Sequence, residues 1–389
     1  MLEGQDITVM GGGIGGFAAA TALAQRGARV RVLEQADEIT EVGAGLQISP
    51  NGVRVLDALG LGDGARARST RSRGVWLRDG PSGREVIDLD LARLRPDADF
   101  LLFHRADLLD LLAGAARDAG VDIVTGARVE KVDVGPGRPT LHIAGQGAEE
   151  VGFLVGADGL HSVLRPELNG THPPFFTGQV AWRAMVPATG REEPEASVFM
   201  GPGRHMVTYP LRQGQVVNLV AVEERKEWAE EGWFIRDDPA NLKSAFRGFC
   251  QDAQDVLNRV EEVHVWGLHR HPVALEWHKG FCALLGDAAH PTLPFIAQGA
   301  VMALEDAWAL ADSLDSTGLL DGPALYQARR RHRVERVIEA ANKNARNYHY
   351  GNPMAKVLGH NVLRLAGRFA PEKVLGRFDW IYDYDVTQA

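Results

Sequence analysis

The sequence predicts an α/β protein in which a Rossmann-type nucleotide-binding domain is interleaved with an antiparallel-sheet domain. Three features carry that expectation. A glycine-rich turn, GGGIGG, lies between an apolar strand and a helical run of small residues. Apolar strands ending in an acidic residue return much later in the chain, as FLVGAD and ALLGD. Between them, from about 178 to 270, short alternating segments follow one another with one helical interruption, the pattern of a separate antiparallel sheet.

The bulk properties fit a two-domain enzyme. A chain of 389 residues is long for one core. Lys and Arg number 42 against 51 Asp and Glu, a net charge of -9, which argues against nucleic acid as a partner. Cys250 and Cys282 have no cysteine or histidine at metal-ligand spacing, so no metal site is expected and both read as buried thiols in a reducing cytoplasm. No apolar run reaches the roughly 18 to 20 residues of a membrane span. The start, MLEGQDITVMGGG, has no basic leader before an apolar core, so it reads as a first strand and not as a secretory signal. The expected setting is cytoplasmic.

Taken in order, ITVMGG is a strand, GIGGFAAATALAQRG a helix closed by Gly27, and ARVRVLEQ the next strand. This is a βαβ unit of the length that binds a mononucleotide half. SPNGVRVLDALGLGDGARA reads as a helix entered at Ser49-Pro50 and stopped by Gly60. RGVWLRDGPSGREVIDLDLA alternates about a Pro-Ser-Gly turn, the mark of a hairpin. HRADLLDLLAGAARDAG is helical, while VDIVTGARVEKVDV, PTLHIAG and VGFLVGADG read as strands. The alternating segments then run from GQVAWRAMVPA to EEVHVWGLHRH, interrupted by the helical PANLKSAFRGFCQDAQDVLNRV. FCALLGD returns to the α/β pattern, followed by the helices GAVMALEDAWALADSL and GPALYQARRRHRVERVIEAANKNARNYH, whose RRRHR run is expected on a solvated face. The nucleotide-binding domain is thus expected at 1–72, 98–177 and 271–345, the sheet domain at 73–97 and 178–270, and a helical tail at 346–389.

Gly11, Gly13 and Gly16 fit G-x-G-x-x-G. Gly11 permits the tight turn, Gly13 lets a pyrophosphate approach the backbone, and Gly16 lets helix and strand pack closely. Glu34 ends the second strand, where its carboxylate can take both hydroxyls of an adenosine ribose. This motif alone does not separate NAD from FAD. Asp158 and Gly159 end another strand, ahead of Ser162 and Arg165, and on their own read as a helix cap. Asp287 ends a third strand, with Gly286 before it, Pro291 and Pro294 stiffening the turn, and Gly299 opening a helix.

The ordered set GxGxxG…E, GADGxxSxxR and GDAAHPxxPxxxQGxxxxxEDA resembles the single-component FAD-dependent aromatic hydroxylases, a group that includes p-hydroxybenzoate, 3-hydroxybenzoate, 6-hydroxynicotinate and salicylate hydroxylases. The resemblance covers nearly the whole chain, to the FDWIYDYD tail. It implies FAD as cofactor, NADH or NADPH as a transient donor, and hydroxylation of a phenolic or hydroxypyridine carboxylate by dioxygen through a flavin hydroperoxide. It also implies a small aromatic substrate as partner and a monomer or homodimer. Asp287 would hold the ribityl chain, Asp158 would lie near FAD and the nicotinamide, and Arg105 would reach the diphosphate-ribityl region. Gly299 and Ala300 would line the isoalloxazine. The cofactor contacts extend by resemblance to Ile14, Gly15, Gln35, Gln47, Val129, Gly286 and Pro294.

In GPGRHMVTYPL, alternation puts His205, Val207 and Tyr209 on one strand face. The resemblance implies a histidine and tyrosine lining the substrate pocket, the histidine taking a phenolic proton. That role is chemically apt, because a phenol titrates near ~10 and a base poised near neutrality helps to ionise it. Arg183 and Trp182 lie on opposite faces of their strand, and either could reach a carboxylate or stack on a ring. Gln47, Leu293, Pro294 and Phe295 complete the expected substrate site, the apolar Leu293 and Phe295 suiting an aromatic face. A flavin oxidase or dehydrogenase, or a flavin halogenase, is the alternative on the same fold. The single AWRAMVP segment falls short of the halogenase Trp-x-Trp-x-Ile-Pro pattern.

Overall fold

The structure, a computed structural model, describes residues 1–40, 44–232, 235–347, 349 and 353–389. The glycine-rich turn expected ahead of Gln47 begins at Gly43, and the last predicted helix passes Tyr348; both lie outside the described residues.

Apolar strands covered on both faces build a sheet in the order 278–279, 282–284, 153–156, 6–10, 29–33, 122–124, parallel except where the edge strand 278–279 runs antiparallel to 282–284. Asp6–Met10 is its centre, paired in parallel with Arg29–Leu33 on one side and Phe153–Gly156 on the other. All three glycine or acidic motifs therefore emerge from neighbouring strand ends, although they are separated by well over a hundred residues in sequence. Crevices outside the carboxyl ends of such strands are where open α/β sheets bind ligands.

The second large sheet has eight strands in the order 236–237, 263–270, 175–187, 216–224, 204–211, 195–201, 74–79, 85–90. Its pairings are antiparallel except for Glu195–Gly201 beside Gly74–Asp79. The predicted hairpin at 74–90 joins this sheet. One face carries Val180, Trp182, Met206, Leu219 and Ala221 into a core under the helices Pro239–Ala245 and Gln251–Asn258. The other face carries Ala181 and Val222 against Leu293 and Phe295, which belong to the turn beyond the parallel sheet. Strand alternation thus divides structural from site-facing residues.

The helix entered at Ser49 runs Pro50–Ala58, and Gly60 turns the chain at φ +79° into a second short helix, Gly62–Arg68. The helical interruption in the sheet region is two helices. The helix Gly299–Asn347 is broken at Gly318, with φ +86°, before Pro323, so the two predicted helices meet at that break. Of the two cysteines, Cys282 is buried, its thiol pushed up to about 12 by desolvation, while Cys250 is half-buried. No described helix is long and apolar enough to cross a membrane.

The RRRHR run corrects a sequence expectation. Arg330 is fully buried and Arg333 nearly so. The expectation failed because the run faces two carboxylates one broken helix away: Arg330 Nη1 lies 2.7 Å from Glu305 and its Nε 2.7 Å from Asp306, and Arg333 lies 2.8 Å from Glu305. Replacing Arg330 by Met is expected to cost about 3–5 kcal/mol, because it strands buried charge. Arg331→Met, which loses a part-exposed pair with Glu335 at 3.0 Å, is expected to cost no more than about 1 kcal/mol. Urea unfolding at matched flavin content measures both; equal midpoints would refute the assignment.

Candidate active site

The first strand ends where Gly11 N–H donates to Leu33 O at 2.8 Å. Gly11 has φ +109°, and a Cβ there would sit 2.3 Å from the Ala157 carbonyl oxygen. A Cβ on Gly16 would lie 1.9 Å from Gly11 O, so the helix Ile14–Ala24 approaches the strand end at a distance no side chain allows. A Cβ on Gly15 would meet Leu285 at 2.6 Å, and Ile14 is buried. Gly13 differs from all of these. Its backbone is extended, and a Cβ there would meet nothing within 4 Å. The structure leaves open ground at that helix entry.

Glu34 stands at the rim of the same ground. Its Oε2 accepts from Gly12 N–H at 2.6 Å and its Oε1 from Ala36 N–H at 2.8 Å, and each oxygen keeps further acceptor capacity. Gln35 beside it is exposed. Ala127 N–H donates to Glu34 O at 2.8 Å, which brings the start of the strand Val129–Asp133 alongside, with Val129 itself buried.

Asp158 caps the turn beyond its strand: Oδ2 accepts from Val163 N–H at 2.7 Å and Leu164 N–H at 3.3 Å. The capping expectation thus accounts for one oxygen. Oδ1 is buried with no hydrogen-bond partner, and desolvation pushes the carboxyl upward. Arg165 reaches across to Ala288 O at 3.3 Å, tying this turn to the third motif. There Gly286 adopts φ +61° and donates its N–H to Asp306 Oδ2 at 3.2 Å. Asp287 is open to solvent, yet enough protein surrounds it to push its carboxyl up, with His290 and Arg105 pulling it down. That combination describes the floor of a cleft. Arg105 heads the helix Arg105–Asp118, its N–H donating to Ala44 O at 2.8 Å. Pro294 is exposed, and Gly299 and Ala300 are half-buried at the entry of the long helix.

On the facing sheet, His205, Tyr209 and Arg183 are all buried on the side opposite Trp182. Trp182 packs edge-on against Phe246 and donates Nε1–H to Asp237 at 2.7 Å, so its indole belongs to the structural core. His205 packs on the Phe295 ring with centroids 5.8 Å apart, and its Nδ1 lies 2.7 Å from His349 Nε2. Tyr209 is hydrogen-bonded to Gln47; burial pushes its phenol up, while the Arg183 charge and that hydrogen bond pull it down. The Arg183 guanidinium lies 5.3 Å from the Trp266 ring centre.

Sequence reasoning missed Asn218, which faces Tyr209 across the strands. It is fully buried, its Oδ1 accepts from Gly45 N–H at 2.7 Å, and its Nδ2 has no hydrogen-bond partner. A lone amide within the apolar alternation of QVVNLV was the available signal. His349 and Glu224, described below, carried none.

Fold and site together define a flavin-dependent oxidoreductase. A family model described as an FAD binding domain matches residues 5–341. The 3-amino-4-hydroxybenzoate 2-monooxygenase PtmB3 of Streptomyces platensis is 34% identical, over 98% of this chain and 96% of its own. The 3-hydroxybenzoate 6-hydroxylase of Polaromonas naphthalenivorans is also 34% identical, over the same shares. Among solved structures, Klebsiella pneumoniae HpxO, complexed with FAD and uric acid, superimposes with a TM-score of 0.84 at 26% identity, covering 96% of this chain and 95% of that one. The chain belongs to the FAD-binding family of aromatic monooxygenases.

The residues present fit FAD. Open space above Gly13, an orphaned buried oxygen on Asp158 and an accessible carboxylate at Asp287 are what a polyhydroxylated, pyrophosphate-bearing ligand would use. A contrast between two glycines tests this fit. Gly13→Ala should fold with little loss, about 1 kcal/mol for a weakened helix entry, yet retain at least about tenfold less flavin, a loss of some 1.4 kcal/mol of binding. Gly16→Ala should lose stability outright, because its methyl meets backbone. Flavin absorbance and urea midpoints measure the two; a Gly13→Ala protein with full flavin would sink the assignment.

Proposed function

We propose that the protein hydroxylates a phenolic or hydroxypyridine aromatic carboxylate, with NADH or NADPH as transient electron donor and dioxygen as co-substrate. One observation carries the reading: the sheet face bearing His205, Tyr209 and Arg183 meets Leu293 and Phe295, from the turn that follows Asp287. The bound flavin would supply oxygen in an electrophilic form, which only an electron-rich ring accepts.

The chain's own residues supply the rest. Gly11, Gly13, Ile14, Gly15 and Gly16 would receive the pyrophosphate, with Glu34, Gln35 and Val129 at the adenosine end. Asp287, Asp158 and Arg105 would hold the ribityl region, Asp287 as acceptor for its hydroxyls. Gly286, Gly299, Ala300, Pro294 and Gln47 would line the ring system. Leu293 and Phe295 would take the substrate's aromatic face and Arg183 its carboxylate. His205 would accept the phenolic proton, and Tyr209, held by Gln47, would position the oxygen that bears it. On this reading 73–97 and 178–270 form the substrate domain, and the protein acts in the cytoplasm as a monomer or homodimer.

A screen of phenolic acids and hydroxypyridines for accelerated NADH or NADPH oxidation, with product counted, tests the reading. Hydrogen peroxide without hydroxylated product for every ring would favour an oxidase or dehydrogenase instead. Asp287→Ala should remove charge-assisted hydrogen bonds worth about 1.5–3 kcal/mol and so weaken FAD roughly 10- to 150-fold, measured by flavin retention on dialysis. His205→Ala should keep its flavin and slow hydroxylation by ~10² to 10⁴, with the donor's electrons diverted to peroxide. A fully coupled His205→Ala enzyme at neutral pH would exclude the assigned role.

A further inference from the structure

A buried base faces two opposing demands. Desolvation, with His349 beside it, holds His205 well below the ordinary histidine range. That keeps the ring neutral and its lone pair available. The same desolvation makes the imidazolium left by proton abstraction costly.

The groups around His205 form a continuous file. His205 Nδ1 lies 2.7 Å from His349 Nε2, and His349 Nδ1 lies 2.9 Å from Glu224 Oε1. His349 is buried, whereas the Glu224 side chain is 54% exposed. The sheet register supports the alignment: His205 pairs with Val222, and Glu224 follows two residues on, toward the same face. The file runs from the site face of the sheet to solvent.

We propose that His349 and Glu224 are a proton relay for His205, the carboxylate setting the tautomers of both rings and the file carrying the phenolic proton to solvent. This rests on the reading of His205 as the group that takes that proton. The donor chemistry fixes the direction. An ionised carboxylate only accepts, so His349 Nδ1 carries its hydrogen. The neutral His349 ring then has its lone pair on Nε2, and His205 Nδ1–H donates to it. His205 Nε2 is left with the lone pair that can accept from substrate.

The proton balance closes without a buried cation. The phenolic O–H breaks as N–H forms on His205 Nε2. The His205 Nδ1 proton passes to His349 Nε2, the His349 Nδ1 proton to Glu224, and water takes one proton from Glu224. One phenolate and one solvated proton result, and no electron moves. Both rings finish in the opposite tautomers and return when the product oxygen is reprotonated along the same file.

Among the described residues, other charges near the file are Arg204, which lies 3.1 Å from Glu223, and Arg225, 3.5 Å from the same carboxylate. Phe295, packed on the His205 ring, brings no charge. Burial lowers His349, with Glu224 opposing and Arg204 adding to the shift. Glu224 is therefore the nearby group that favours a proton on His349.

The test uses flavin-loaded protein with ¹⁵N-labelled histidine, in which long-range ¹H–¹⁵N correlations read each tautomer directly. His205 is assigned by its absence in His205→Gln. Wild type should show His205 protonated on Nδ1 at neutral pH. Glu224→Gln, at an exposed site where folding is not at stake, should give a mixture of tautomers, and Glu224→Asp should restore the single form. 3-Hydroxybenzoate labelled with ¹³C at its hydroxyl carbon serves as probe. Its bound phenol should exchange its proton with solvent at least about tenfold more slowly in Glu224→Gln than in wild type, read from exchange broadening at the labelled carbon, since an amide cannot take the proton from His349. His205 protonated on Nε2 in wild type, or tautomer and phenol exchange rate unchanged in Glu224→Gln, would overturn the relay. If tautomers respond to Glu224 but no phenol is ionised or hydroxylated, the substrate reading is what fails. If phenols are hydroxylated and the tautomer ignores Glu224, the relay is what fails.

Discussion

Four charged side chains buried on the long helix, two on each side of its break at Gly318, hold the turn that carries Asp287 in place. Glu305 and Asp306 supply two negative charges, Arg330 and Arg333 two positive, and their ion pairs span 2.7–2.8 Å. Removing such ions from water costs several kcal/mol each, which their mutual attraction repays only with good geometry. The cluster therefore adds little net stability over an apolar core, but it fixes position. Asp306 Oδ2 accepts from Gly286 N–H and contacts His290 Nε2 at 2.5 Å, which sets the turn carrying Asp287. Glu305 accepts from Asn51 Nδ2 at 2.7 Å, which ties down the helix after Gln47. Arg333 donates to Trp380 O and Ile381 O, locking the C-terminal segment onto the same point. Four stretches distant in sequence meet at one neutral cluster.

The eight-stranded sheet adds a second constraint, the alternation of its side chains. Trp182 and Arg183 are adjacent in sequence and serve opposite faces, one closed by the helices at 239–258 and one turned toward the cofactor loops. A register slip of one residue in their strand would exchange them, burying Arg183 among Phe246 and Leu219. The apolar face thus specifies where the polar groups of the other face stand. His205, Tyr209, Asn218 and Arg183 are aligned by a core they do not touch.

These constraints explain what could be read from the chain alone. The glycine turn was legible because each glycine answers a local requirement: a positive φ at Gly11, a close approach at Gly16. The strand-end aspartates were legible because they follow apolar runs. Arg330 was not, since RRRHR is locally indistinguishable from a solvated run; its burial depends on carboxylates across the break at Gly318. His349 was invisible for the same reason. Its partners lie 144 and 125 residues away, and NARNYH contains no pattern that points to either. Local rules reveal residues that a turn or strand needs. Residues needed by another segment's charge emerge only once the chain is folded.

Burial also acts on the site's acids and bases with one physical effect and opposite consequences. It raises Asp158 and Asp287 and lowers His205 and His349, driving each toward its uncharged form. The guanidinium of Arg183 resists this, because arginine keeps its proton in proteins. A cleft whose histidines are held neutral beside a persistent cation favours an anion before any specific hydrogen bond forms. The same weak polarity strengthens the attraction, since charges interact more strongly where water is scarce. An anionic aromatic would thus be drawn by Arg183, while its ionisation would depend on groups held neutral until the proton has somewhere to go. Binding and proton removal are assigned to different residues because one buried group cannot be both a fixed charge and an uncharged acceptor.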